Sequence, residues 1–139
     1  MKRGVLLNSE ISAVIASMGH TDSLTIGDAG LPIPENTKRI DLAVSRGIPS
    51  FIEVLSAVLN ELCIERIILA EEIRNNNAAG LDDILTMIAD YEASSGFKPA
   101  MSFIPHKEFK KLNANSKAII RTGEVLPYAN IILFSGVAF

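Results

Sequence analysis

The chain has 139 residues, 48% hydrophobic and 21% charged, with a net charge of −3. This is the composition of one folded domain and not of a disordered segment. With no stripe of Lys and Arg it argues against a nucleic-acid partner.

Gly4 to Leu7 reads as a short lead-in. Asn8 or Ser9 caps a first helix, with Glu10 in its first turn and Ile11, Val14, Ile15 and Met18 at helical spacing. Gly19 is expected to end it with positive φ, so that His20 emerges beyond the helix. Ser23 to Ile26 has strand composition, and Gly27-Asp28 stands at its carboxyl end, where open α/β sheets bind ligands. Ala29-Gly30 lets backbone come close, and Leu31-Pro32-Ile33-Pro34 holds the exit extended. Across so short a strand, His20 and Asp28 are expected to be able to meet.

Arg39 to Val44 alternates like a half-buried strand, ended by Gly47 and Pro49. Ser50 caps a second helix, with Phe51, Val54, Leu55, Val58, Leu59 and Leu62 on its buried face. Ile64 to Ala70 is a strand with Glu71-Glu72 at its carboxyl end, and Asn75 to Gly80 reads as a polar loop. Leu81, Ile84, Leu85, Ile88 and Tyr91 mark a third helix, stopped at Ser94-Ser95-Gly96. Ala100 to Ile104 is a strand, and Pro105-His106 opens a short helix through Phe109 and Leu112. Ala118 to Ile120 is a strand, and Ala129 to Phe134, very apolar, is the last strand and is expected to be central. Strands alternating with helices predict one three-layer α/β/α domain over residues 1–139 with a largely parallel or mixed central sheet.

The single cysteine, Cys63, excludes an intrachain disulfide, fits a reducing compartment and reads as a small buried apolar residue. Lys2-Arg3 is followed too soon by Asn8, Ser9 and Glu10 for a signal peptide. No run approaches the ~20 apolar residues of a membrane span. The expectation is a cytoplasmic protein. Mean hydropathy is +0.29, high for a small soluble chain. A domain of this size buries only about 68–70% of the surface its unfolded chain exposes, so contacts between copies are expected, with Ile131 to Phe139 as a candidate contact.

Several kinds of site are absent. There is no nucleotide-phosphate loop, no dinucleotide glycine spacing, no nucleophile elbow and no His-x-His or His-Glu-x-x-His pattern for a transition metal. Glu71-Glu72 is either a hydrolytic carboxylate pair or, more blandly, a solvated strand end or a partner of Arg74. His20, Asp28, His106, Tyr128 and Asn130 remain, each in a loop or beside the end of an element. His20 is a solvated loop residue or a group titrating near neutrality that Asp28 orients. His106 opens a helix, where the dipole favours a neutral imidazole, or is a plain cap. Tyr128 is a core tyrosine or a site residue. Asn130 enters a strand against propensity, for a backbone bond or a ligand hydroxyl. These groups suit a neutral polyhydroxylated ligand and proton transfer.

Four segments then carry a resemblance: Gly19-His20-x-Asp22, Asp28-Ala-Gly-Leu-Pro-Ile-Pro34, His106-x-x-Phe109, and Arg121-Thr-Gly-Glu-x-x-Pro-Tyr-Ala-Asn-Ile131 with Gly136-Val137 after it. Together they resemble the ribose/fucose mutarotase family, nearly end to end and most loosely across Ala78 to Ala100. The fucose branch has Asp-Ala-x-Phe-Pro where this chain has Asp28-Ala-Gly-Leu-Pro32, and lacks a histidine equivalent to His106, so the ribose branch is the match. Gly27 is a small variation beside the site. The resemblance implies interconversion of the β-pyranose and β-furanose forms of D-ribose without a cofactor, in a ring-shaped homodecamer with sites shared between neighbouring subunits. It implies His20 as general acid and Asp28, His106, Tyr128 and Asn130 as sugar-binding residues, with His20 and Asp28 facing a neighbour that supplies Tyr128 and Asn130. Two other function classes stay open: a non-catalytic sugar-binding accessory of a ribose transport system, and a purely structural oligomer.

Overall fold

A computed structural model describes all residues from Met1 to Phe139. Six strands form one sheet in the order β2-β5-β1-β6-β3-β4. They are β1 (Ser23–Gly27), β2 (Arg39–Asp41), β3 (Ile64–Ala70), β4 (Ala100–Ile104), β5 (Ala118–Arg121) and β6 (Ile131–Ser135). The last strand in sequence lies in the middle. It runs antiparallel to both β1 and β3, while every other pairing is parallel. The sheet is therefore mixed, and β6 is central because Ile131, Ile132 and Leu133 are buried on both faces.

Alternation along the strands divides the core. Leu24, Ile26, Ile67, Leu69, Ile131 and Leu133 face α1 (Ser9–Ser17), α2 (Phe51–Leu59) and α4 (Ala78–Ser95). Ile68, Ile119 and Ile132 face the opposite way, against Phe109 of α5 (His106–Asn113). This is the three-layer arrangement that the element order predicted. Asn8 caps α1 by accepting the Ile11 N–H at 2.9 Å, and Ser50 and Glu53 form a reciprocal capping box on α2. No helix is long and apolar enough to cross a membrane.

Five local expectations are corrected. Gly19 does not take positive φ; Thr21 does, at 68°. Of Arg39 to Val44 only Arg39–Asp41 pairs, because the Asp41 carboxylate accepts the Ala43 N–H at 3.1 Å and turns the chain out of the sheet. The polar stretch 75–80 is no loop: a short α3 (Ile73–Asn76) precedes Asn77, whose side chain caps α4 through the Gly80 N–H. Asn130 stands just before β6, outside it. As β6 is internal, Ile131 to Leu133 cannot form a contact between copies; only the partly exposed Phe134 and the segment after Ser135 are available for one.

Candidate active site

Four of the five candidate residues meet beyond the carboxyl ends of β1 and β4 and at the entry to β6. Asp28, His106, Tyr128 and Asn130 line an open cleft of about 360 Å³, together with Gly30, Leu31 and the loop Glu124–Pro127. Asn130 is 1% exposed, and its amide serves Asp28 twice. Its Oδ1 accepts the Asp28 N–H at 2.9 Å and its Nδ2 donates to Asp28 Oδ2 at 3.0 Å. The Gly30 N–H donates to Asp28 Oδ1 at 2.9 Å. Asn130, just ahead of β6 and not a strand residue, is there to fix the carboxylate. Gly27 leaves the room, because a Cβ there would meet the Leu31 side chain and Asn130 Oδ1.

Burial raises the Asp28 pKa, and the hydrogen bonds from Gly30 and Asn130 oppose that rise. The His106 ring packs edge-on to Tyr128, with centroids 5.1 Å apart, and stacks near Phe109 at 6.1 Å. Its pKa is lowered first by burial and then by Lys110. The helix start favours the same neutral ring, but desolvation is the larger cause. His106 Nδ1 is buried without a hydrogen-bond partner in the chain. The backbone N–H of His106 is held by both carboxylate oxygens of Glu72, at 3.0 and 2.9 Å. Glu72 thus ties down the start of α5 and makes no ion pair with Arg74, whose guanidinium lies 3.7 Å above the Phe103 ring.

The loop into β6 is fastened at several points. Glu124 Oε1 accepts the N–H groups of Val125 and Leu126, and Asn77 Nδ2 donates to Pro127 O at 3.1 Å. Tyr128 is held at φ 58°, a conformation that costs a non-glycine residue about 1–2 kcal/mol. Sequence reasoning missed Glu72, Asn77 and Glu124 as supports of the cleft. Only the clustering of Glu71-Glu72 at a strand end signalled one of them.

His20 lies elsewhere in the chain. It precedes β1, whereas Asp28 follows it, and five extended residues at about 3.3 Å each separate the two ends by on the order of 16 Å. The expected meeting of His20 with Asp28 within one chain is therefore corrected, as is the grouping of Asp28 with His20 against Tyr128 and Asn130. Asp28 shares its cleft with Tyr128 and Asn130 of the same chain. His20 is instead paired with Glu65: Nε2 donates to Oε2 at 2.7 Å, with 55% of the histidine side chain exposed.

The backbone around His20 is closely held. Asp22 Oδ2 accepts the Gly19 N–H at 2.9 Å, Thr21 N–H donates to Ser135 O, and Ser135 N–H to Asp22 O. The Gly19 hydrogen bond is also the main reason the Asp22 carboxyl is held below its usual range. Thr21, β-branched and left-handed, is strained by about 1–2 kcal/mol. The only two non-glycine residues with positive φ adjoin His20 or line the cleft.

A family model described as the RbsD / FucU transport protein family matches residues 1–138. The D-ribose pyranase of Photorhabdus laumondii is 55% identical over 139 residues, both chains being covered in full. That of Haemophilus influenzae is 51% identical over the same span, again covering both in full. The solved structure of Bacillus subtilis RbsD complexed with D-ribose has a TM-score of 0.90 at 37% identity, covering 100% of this chain and 99% of that one. The fucose mutarotase of Streptococcus pneumoniae, in complex with L-fucose, has a TM-score of 0.82 at 21% identity over 99% of each chain; at that identity the likeness is one of fold.

Proposed function

The chain belongs to the RbsD / FucU transport protein family, and on that premise we propose that it is an enzyme interconverting the β-pyranose and β-furanose forms of D-ribose. The observation that carries this reading is the cleft: a carboxylate pinned by Asn130, a neutral imidazole and a tyrosine, with no lysine or arginine among its lining residues. Such a set takes a neutral polyol by hydrogen bonding and has no cation to hold a phosphate. Full-length relatives at 51–55% identity named D-ribose pyranase support the same conclusion.

The chemistry is ring opening and reclosure. Asp28 and His106 hold sugar hydroxyls, with Tyr128 as a wall and further donor and Asn130 keeping Asp28 in register. His20 gives a proton to the ring oxygen while the anomeric hydroxyl loses one to water. The C1–O bond breaks to the open aldehyde, which recloses through a different hydroxyl. That hydroxyl's proton returns to His20, and water returns a proton to the carbonyl oxygen, which becomes the new anomeric hydroxyl. Ribose opens unaided in water, so acid–base help of roughly 10²–10⁴ suffices.

His20 acts in the cleft of a neighbouring subunit. Supporting this, Val125 and Leu126 on the cleft rim are 57% and 53% exposed, an apolar edge suited to a second copy. The resemblance supports a homodecamer, cytoplasmic and free of any cofactor, in which residues 1–139 act as one domain. The test is complementation. His20→Ala and Asn130→Ala oligomers should each be slow in ribose ring exchange, and His20→Ala should still bind ribose. Co-refolding the two should restore activity in proportion to the interfaces where an intact His20 meets an intact Asn130. Mixed oligomers as inactive as their parents would refute the shared site. Wild-type exchange in His20→Ala would remove His20 from the mechanism.

A further inference from the structure

The ladder between β3 and β6 slips at one residue. Ile64 pairs with Ser135 and Arg66 with Phe134, so Glu65 is an extra residue without a partner across the strand. Its neighbours show the consequence. Ile64 and Ile67, three residues apart, both point into the larger core, while the Arg66 guanidinium lies 3.7 Å over the Phe134 ring. A bulge of this kind turns a side chain out of the alternation of the strand. The side chain turned out here meets His20 at 2.7 Å. Gly136 lets the bulge form, because a Cβ there would come within 3.1 Å of Glu65 Cβ.

From this we infer that Glu65 is the positioning residue of His20 and that Nδ1 is the nitrogen that exchanges a proton with the sugar. The inference rests on the acid role proposed for His20. A carboxylate only accepts, so Nε2 carries a proton in both states of the ring. In the imidazolium, Nδ1–H is the proton available to the ring oxygen. Once it has passed, C1–O breaks and the anomeric proton leaves to water; the ring that remains is the neutral Nε2–H tautomer. The bond to Glu65 is unchanged through the whole cycle, and the acid needs no reorganisation between steps. Transfer from Nε2 would break the hydrogen bond at every turnover. Thr21 and the Gly19–Asp22 turn fix the backbone, and Glu65 fixes the ring.

The test uses the intact oligomer with ¹⁵N-labelled histidine. His20 and His106 are the only two histidines, and His20→Ala assigns the spectrum. The neutral His20 ring should be Nε2-protonated. Glu65→Ala should slow ribose exchange about tenfold, a part of the roughly 10²–10⁴ that general acid–base help supplies, with ribose affinity unchanged because Glu65 lies outside the cleft. Glu65→Gln keeps an acceptor carbonyl and should stay within about threefold of wild type. An Nδ1-protonated neutral ring overturns the inference. So does a wild-type rate in Glu65→Ala when His20→Ala is slow, or a Gln variant as slow as the Ala variant. An affinity loss matching the rate loss in Glu65→Ala also overturns it, since that would mark a merely structural role. A wild-type rate in His20→Ala overturns the acid role itself, and this inference with it.

Discussion

Replacing Asn130 by alanine removes two hydrogen bonds at one buried point. The bond from Nδ2 ends on a carboxylate oxygen at 3.0 Å, and the bond to Oδ1 satisfies the Asp28 N–H at 2.9 Å. A hydrogen bond to a charged group contributes about 1.5–3 kcal/mol, and a buried N–H left without a partner costs about 1–3 kcal/mol. Allowing for relaxation, Asn130→Ala should destabilise the protein by about 3 kcal/mol, or roughly 10 °C in Tm for a chain of this size. Freed of Asn130, the Asp28 carboxylate turns and its pKa rises further, because burial is no longer opposed by that bond. Ribose affinity should fall at least about tenfold, equivalent to about 1.4 kcal/mol. Thermal unfolding at fixed protein concentration and ribose titration calorimetry read the two effects. Asn130→Asp sharpens the test: Oδ1 still accepts the Asp28 N–H, but two carboxylates then face each other and one must take up a proton. Its ribose affinity should be strongly pH-dependent. Asn130→Ala within 0.5 kcal/mol (about the scatter of neutral surface changes) and with unchanged ribose affinity would refute the reasoning.

Lys110→Gln should move the titration midpoint of His106 upward toward the ordinary 6.5, with burial keeping it below that value; histidine NMR reads it. The folded His106 binds its proton less readily than the unfolded one, so its contribution to stability is lost as pH falls from above 6.5 through the lowered value. Asp28 acts in the opposite sense: its raised pKa adds stability below 3.8 that is lost as pH rises through the folded value. Gly123→Ala would drive a Cβ into the backbone of Ile48 and should cost about 1–3 kcal/mol, loosening the loop that carries Glu124, as urea unfolding and ribose titration would register. Dialysis against a strong chelator should leave exchange activity intact; loss that a divalent ion restores would contradict the metal-free chemistry.

The bounds of β3 and β4 were legible because apolar runs were closed by Glu71-Glu72 and by Pro105. The caps at Asn8 and Ser50 were legible because capping chemistry is local. The central place of β6 followed from its unbroken apolar character. Stretch 75–80 misled because an asparagine that caps a helix has the composition of a loop. The cleft residues were named from their chemistry and local position, and the fold brought Asp28, His106, Tyr128 and Asn130 together. The relation of His20 to them was misjudged, because even a short strand is long in space. Glu65 was invisible because a bulge depends on the register between two strands far apart in sequence.

The most direct measurement is magnetisation transfer between the β-pyranose and β-furanose signals of D-ribose. With protein present, exchange should become many times faster while the equilibrium ratio of the two forms stays the same. Broadening by binding with no gain in exchange rate would contradict catalysis and leave a protein that only holds the sugar.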